Sequence, residues 1–151
     1  MRRSLVIFLA SAGWVGKIPL VPATAASALL CTVILWVGDP TSVAVVAAVS
    51  ATLGLLLARS AVDAFGRSDP REFVLDELAG MSLALLFLPI TIPIVVTGFL
   101  VFRFLDVVKP LGIRALDGMD HPTGIVWDDL LAGAYTNLVL QVVFRAVRGS
   151  N

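Results

Sequence analysis

The sequence predicts an all-α fold. The expected architecture is a compact polytopic transmembrane helical bundle of about four to five short spans, with an N-terminal interfacial or re-entrant segment, forming one domain over residues 1–151. Three observations carry this reading. Apolar runs recur at 23–37, 43–58, 73–88, 90–108 and 126–147. The chain is 58% apolar with a mean hydropathy of +0.96, whereas a soluble domain is roughly 45–50% apolar. Charges, prolines and glycines gather between the runs rather than within them.

The elements follow in order. Met1-Arg2-Arg3 precedes an apolar stretch, Leu5 to Ala10, of only six residues. That is shorter than the roughly 7–15 residues of a signal-peptide core, so an interfacial segment is expected. Ile18-Pro19-Leu20-Val21-Pro22 is no regular helix interior, because proline removes a donor and clashes with the preceding turn. Gly38-Asp39-Pro40-Thr41-Ser42 reads as a tight turn joining the first two spans as a hairpin. Ala44, Ala47, Ala48, Ser50, Ala51 and Gly54 recur at four-residue spacings, which suits close helix packing. Pro89 and Pro93 bracket another turn or kink. Each run falls short of, or barely reaches, the ~20 residues that span a bilayer.

The formal net charge is zero, with no basic stripe, which excludes a nucleic-acid footprint. One cysteine, Cys31, excludes an internal disulfide framework. His121, the only histidine, lies in a polar loop and reads as solvated. The Lys and Arg distribution sets orientation. Arg59, Arg67 and Arg71 lie between the second and third runs, and Arg103, Lys109 and Arg114 lie at or after the end of the fourth. The turns 38–42 and 89–93 carry none. The positive-inside rule then places the N-terminus, 59–72 and 103–127 in the cytoplasm. Five spans would leave Arg145 and Arg148 on the far side, unless the last helix stops short of crossing.

That orientation brings Asp69, Asp76, Glu77, Arg103, Asp106, Lys109, Asp128 and Asp129 to one side of the membrane. Ionised groups entering lipid are functional candidates by default. Two adjacent acids on each of two helices exceed what helix capping needs, although capping by Asp76 and Asp128 is the simpler alternative. An oxygen-only set without a Cys/His cluster suits a hard cation such as Mg²⁺, which commonly bridges carboxylates and phosphate. Arg103 and Asp106 share a helix face, and Lys109 follows three residues on. Arg can fork onto a phosphate and Lys can hold it as a point charge; intrahelical ion pairing is the alternative. No nucleophile elbow or P-loop appears, so metal-activated water with a carboxylate base is the simplest hydrolytic scheme. Asp76 and Gly80, like Asp129 and Gly133, are four apart within two D-x-L-A-G segments. The glycine would let a backbone or ligand come close to the acid.

Asp69-Pro70, Asp76-Glu77-x-x-Gly80, Phe102-Arg103-x-x-Asp106-x-x-Lys109-Pro110, Ile113-Arg114 and Asp128-Asp129-x-x-Ala132-Gly133 together resemble the phosphatidylglycerophosphatase A family. The resemblance covers about residues 13–140. It implies a small bacterial cytoplasmic (inner) membrane lipid phosphatase, Mg²⁺-dependent, whose site faces the cytoplasm. Its substrate would be phosphatidylglycerol phosphate and its products phosphatidylglycerol and phosphate. Asp76, Glu77, Asp128 and Asp129 are then acidic site residues, with Asp69 and Asp106 close by. Our assignment is that most of them bind one or two Mg²⁺ ions and one is the general base. Arg103 and Lys109 would hold phosphate, with Lys17 and Arg114 as further contacts. Ala23 and Ala26 stand where the family usually has glycines, so a left-handed turn there would be strained. Two alternatives are a CDP-alcohol-type lipid phosphotransferase, whose long D-G-x-x-A-R pattern is missing, and a small transporter with acids spread through membrane depth.

Overall fold

A computed structural model describes residues 2–110 and 112–149; the side chains of Asp117 and Gly149 are outside that description. The fold is all-helical among these residues, as the sequence predicts. Helix α1 spans Arg3–Ala10, α2 Pro22–Val37, α3 Pro40–Phe65, α4 Leu75–Leu85, α5 Ile92–Val108, α6 Ile113–Asp117 and α7 Gly124–Gly149. A single 3-10 turn at Val15–Lys17 precedes α2.

Proline sets three starts. Pro22, Pro40 and Pro93 each lie in the first turn of a helix, where the missing N–H has no intrahelical use. Asp39 caps α3, accepting from the N–H groups of Thr41 and Ser42 at 3.1 and 3.0 Å. The chain therefore breaks at Gly38-Asp39 as expected, but α2 packs mainly on α4 and α5 rather than along α3 as a hairpin partner.

Helix lengths depart from the expectation of uniformly short spans. Helices α3 and α7 each have 26 residues, about 39 Å at the usual rise, and both are long and apolar enough to cross a membrane. Helix α3 runs on past Leu57 because Arg59 and Asp63 are exposed and tolerated on its outer face. Helix α4 has only 11 residues, about 16 Å. Its apolar run continues to Leu88, but the backbone turns extended at Leu86 and left-handed at Phe87 (φ 61°).

Helix α4 is the hub. It packs mainly against α7 and α3, with α5 and α2 on its other sides. Leu75, Ala79, Met81, Ala84 and Leu85 are all buried. Met81, Leu85, Phe102, Ala132 and Leu140 belong to one core, and α1 and α3 form a second around Val6, Ala10, Leu57 and Ala61. Helix α1 is packed on α3, with Arg3 Nε donating to the Ala64 carbonyl at 3.0 Å. The broken end of α4 is closed from α7: the Asn137 amide donates to the Ala84 and Leu86 carbonyls at 3.1 and 2.7 Å.

Large apolar side chains point outward. Trp36, Leu56, Leu100, Phe104, Val107, Leu138 and Val142 are each at least 60% exposed. So broad an apolar exterior belongs against lipid rather than water, and we read the chain as a membrane protein. Among the small residues of α3, Ser50 and Gly54 are buried, but Ala44 and Ala48 are exposed. The strained turn feared at Ala23 and Ala26 does not arise, because both are helical in α2.

Candidate active site

The site is built where α4 crosses α7. An added Cβ at Gly80 would lie 2.5 Å from the Asp129 carbonyl oxygen, and one at Gly133 would lie 2.2 Å from the Gly80 carbonyl oxygen. The two D-x-L-A-G segments therefore pack backbone to backbone, each glycine against the other segment. This contact fixes the acids one turn before each glycine side by side. Asp69, Asp76, Glu77, Asp106, Asp128 and Asp129 all line one cavity of about 140 Å³, together with Lys109 and Arg71.

Asp76, Glu77, Asp128 and Asp129 are all at most 8% exposed. Neither Asp76 nor Asp128 is a helix N-cap, but Asp76 and Glu77 do lie in the first turn of α4, where the helix dipole favours them, while Asp128 lies in the second turn of α7. Instead, Asp76 Oδ1 accepts the Glu77 N–H at 2.8 Å, and Asp128 Oδ1 accepts the Asp129 N–H at 3.0 Å.

Two of the cations, Arg103 and Lys109, are already engaged. Arg103 Nη1 holds both Glu77 oxygens, at 2.7 and 2.8 Å, and reaches Asp106 Oδ2 at 3.0 Å. Ser27 Oγ donates to Glu77 Oε2 at 3.0 Å. Lys109 Nζ donates to Asp128 Oδ2 at 2.7 Å. Among the described residues, no Lys or Arg forms a salt bridge with Asp76 or Asp129. Nothing there donates a hydrogen bond to the Asp129 carboxylate.

Burial, then the charges of Glu77, Asp128 and Asp69, push the Asp76 carboxyl well above the usual carboxylate range, against the lowering effect of the Glu77 N–H. Burial also raises Glu77, opposed chiefly by Arg103. Six carboxylates against three cations (Arg71, Arg103 and Lys109) leave an excess of negative charge that protons or a bound cation would relieve. The donors are all oxygen, which suits a hard ion such as Mg²⁺. Among the described residues, no three His, Cys, Asp or Glu side chains already stand together as a ready-made metal sphere. The donor chemistry fits the ion, while the ligand positions would have to close around it.

Of the residues expected from sequence, eight of ten converge: the six acids, Arg103 and Lys109. Lys17 and Arg114 do not line this cavity. Lys17 Nζ lies 4.1 Å from the Trp14 ring centroid, and Arg114 reaches the Val108 carbonyl at 3.5 Å. His121 is exposed and contacts Thr123 Oγ1 at 2.8 Å, as a solvated loop residue would. Two residues were missed. Arg71 lines the cavity, and its place beside Asp69-Pro70 was the available signal. Ser27 was hidden in an apolar run.

The sequence profile described as phosphatidylglycerophosphatase A matches residues 8–144. The chain belongs to that family. Two relatives carry the same name. One, from Haemophilus influenzae, is 32% identical over 90 residues, covering 58% of this chain and 55% of the relative. The other, from Escherichia coli K12, is 34% identical over 93 residues, covering 60% and 54%. The chain thus spans just over half the length of these two phosphatidylglycerophosphatase A relatives. A relative from Bacteroides thetaiotaomicron, provisionally named a phosphatidylinositol-3-phosphatase, is 32% identical over 137 residues, covering 89% of this chain and 77% of its own. No solved structure matches the chain significantly.

Proposed function

We propose that this chain hydrolyses the terminal phosphomonoester of phosphatidylglycerol phosphate, with Mg²⁺ as cofactor, at the cytoplasmic face of the bacterial inner membrane. Membership of the phosphatidylglycerophosphatase A family supports the reaction class. The observation that carries the mechanism is the convergence of both acid pairs on one cavity, with Asp76 and Asp129 left without a cation partner.

Asp76, with Asp69, Asp106 and Asp128 around it, would hold Mg²⁺. The ion, when bound, would neutralise phosphate charge and lower the pKa of water. The Asp129 carboxylate is the acceptor for the attacking water's proton, because its oxygens are uncommitted among the described residues. The water oxygen forms the new P–O bond, and the glycerol oxygen leaves with the bonding electron pair and takes up the proton that Asp129 received from the water. Arg103 and Lys109 bring positive charge to the transferring phosphoryl oxygens while bound to Glu77 and Asp128.

Helices α3 and α7 are long and apolar enough to cross the bilayer; in this reading the shorter α2 and α5 complete a polytopic bundle with them, and α4 is too short to cross. Its acidic start lies at the cytoplasmic interface, and its end lies near mid-depth, level with Asn137. This arrangement clusters the acids at one end rather than along a path, which favours a headgroup hydrolase over a transporter. The name of the Bacteroides relative makes phosphatidylinositol 3-phosphate the competing substrate to test.

The test is phosphate release in detergent from phosphatidylglycerol phosphate and phosphatidylinositol 3-phosphate, with EDTA and then with added Mg²⁺. Release is expected from the first lipid in preference, lost in EDTA and restored by Mg²⁺. Turnover that survives both EDTA and Asp76→Asn would sink the mechanism.

A further inference from the structure

A second cavity, of about 360 Å³, adjoins the acidic one and carries the opposite charge. Lys17, Arg67, Arg71 and Glu72 line it, with Leu20 at its edge. Arg71 lines both cavities. Three cations therefore meet one carboxylate. Arg67 Nη2 contacts both Glu72 oxygens at 2.7 Å. Among the described residues, neither Lys17 nor Arg71 has a carboxylate partner.

The cations are held there by backbone. Gly16 lies so close to residue 72 that an added Cβ would be 2.1 Å from the Glu72 carbonyl oxygen. The Val74 N–H donates to the Ala10 carbonyl at 3.0 Å, tying the same two segments together. The rim is apolar, with Leu20 96% exposed beside exposed Ile18 and Val21. A cationic pocket with a greasy edge suits a phosphate attached to acyl chains.

We propose that this pocket binds the phosphodiester of the same lipid whose terminal phosphomonoester enters the acidic cavity, with Arg71 between the two phosphates. The inference rests on the phosphatase reading above. Phosphatidylglycerol phosphate carries both groups, separated by one glycerol. A diester has one permanent negative charge and needs cations without a metal, which is what the pocket offers. Lipids with a monoester alone would lose this second hold, so the pocket sets substrate class.

The test separates this pocket from turnover. The probe is dihexanoyl phosphatidylglycerol, which has the diester and no monoester, titrated calorimetrically into the full chain in detergent with EDTA present. Lys17→Gln/Arg71→Gln is expected to weaken its binding about tenfold, the scale of a charged hydrogen bond. Glu72→Gln, which removes the only carboxylate, is expected to tighten it at least about twofold, a gain that misfolding cannot mimic. Dihexanoylglycerol, which has the acyl chains and no phosphate, should respond to neither change. Wild-type protein that does not bind the probe, or equal binding by all three proteins, would overturn the pocket assignment. Intact diester binding without phosphate release would instead refute the phosphatase reading and leave the pocket standing.

Discussion

The two acid pairs, Asp76-Glu77 and Asp128-Asp129, share one cavity and one local device, the first acid accepting the next residue's N–H. They differ in which member is neutralised. In α4 the second acid, Glu77, takes Arg103; in α7 the first, Asp128, takes Lys109. Asp76 and Asp129, which form no salt bridge among the described residues, are those four residues before Gly80 and Gly133. In the proposed mechanism the aspartate of each D-x-L-A-G segment is the acid that works on the substrate, and its neighbour holds a cationic side chain in place. Identical residue types acquire different work from one position's shift along a helix.

The largest expected effect follows from that split. Asp76→Asn and Asp129→Asn should each lower phosphate release at least about 10³-fold, while leaving the protein folded by circular dichroism. Loss of only a few-fold in either would remove it from the central pair. Next come the crossing glycines. Gly80→Ala or Gly133→Ala drives a methyl into a facing backbone carbonyl. Each should lower stability by about 3 kcal/mol or more, measured by thermal denaturation in detergent, with activity falling for both pairs together.

Stability sharpens the contrast by sign. Glu77→Gln leaves the partly buried Arg103 short of its main partner and should destabilise by about 3 kcal/mol. Asp76→Asn removes a buried charge that has no cation and should raise the thermal midpoint in EDTA. The pH dependence agrees. Asp76 is raised in the folded protein, so its ionised form opposes folding. In EDTA, its contribution should weaken the fold as pH rises above the unfolded aspartate value of about 4, and Asn at position 76 should flatten that slope. The smallest effect is expected at Arg114, which is exposed and away from the cavity. Arg114→Ala should change turnover less than about twofold.

Much of this arrangement was legible in the sequence. Apolar runs between prolines and glycines gave the helices, and one-sided charge gave the acids a common end. The end of α4 was not legible, because Leu86 to Leu88 stay apolar and only their backbone leaves the helix. The continuation of α3 was hidden by Arg59 and Asp63, which a long helix carries on its exposed face. Charge pairing was hidden as well. The Arg103–Asp106 spacing suggested an intrahelical pair, which forms, but Arg103 also spans 26 positions to reach Glu77. The glycine spacing came nearest to the three-dimensional answer, since it reserved room beside each acid before any partner was known.

Asn137 has a consequence for biogenesis. The carbonyls of Ala84 and Leu86 find their donor 53 and 51 residues later in the chain. Helix α4 therefore leaves the ribosome long before the side chain that closes its end exists. Until α7 is inserted, α4 has neither its closing amide nor its glycine seat, and it is too short to lodge across the bilayer alone. The acidic cavity is thus completed only when α7 arrives, so a chain stalled before α7 could occupy the membrane without an assembled acidic centre.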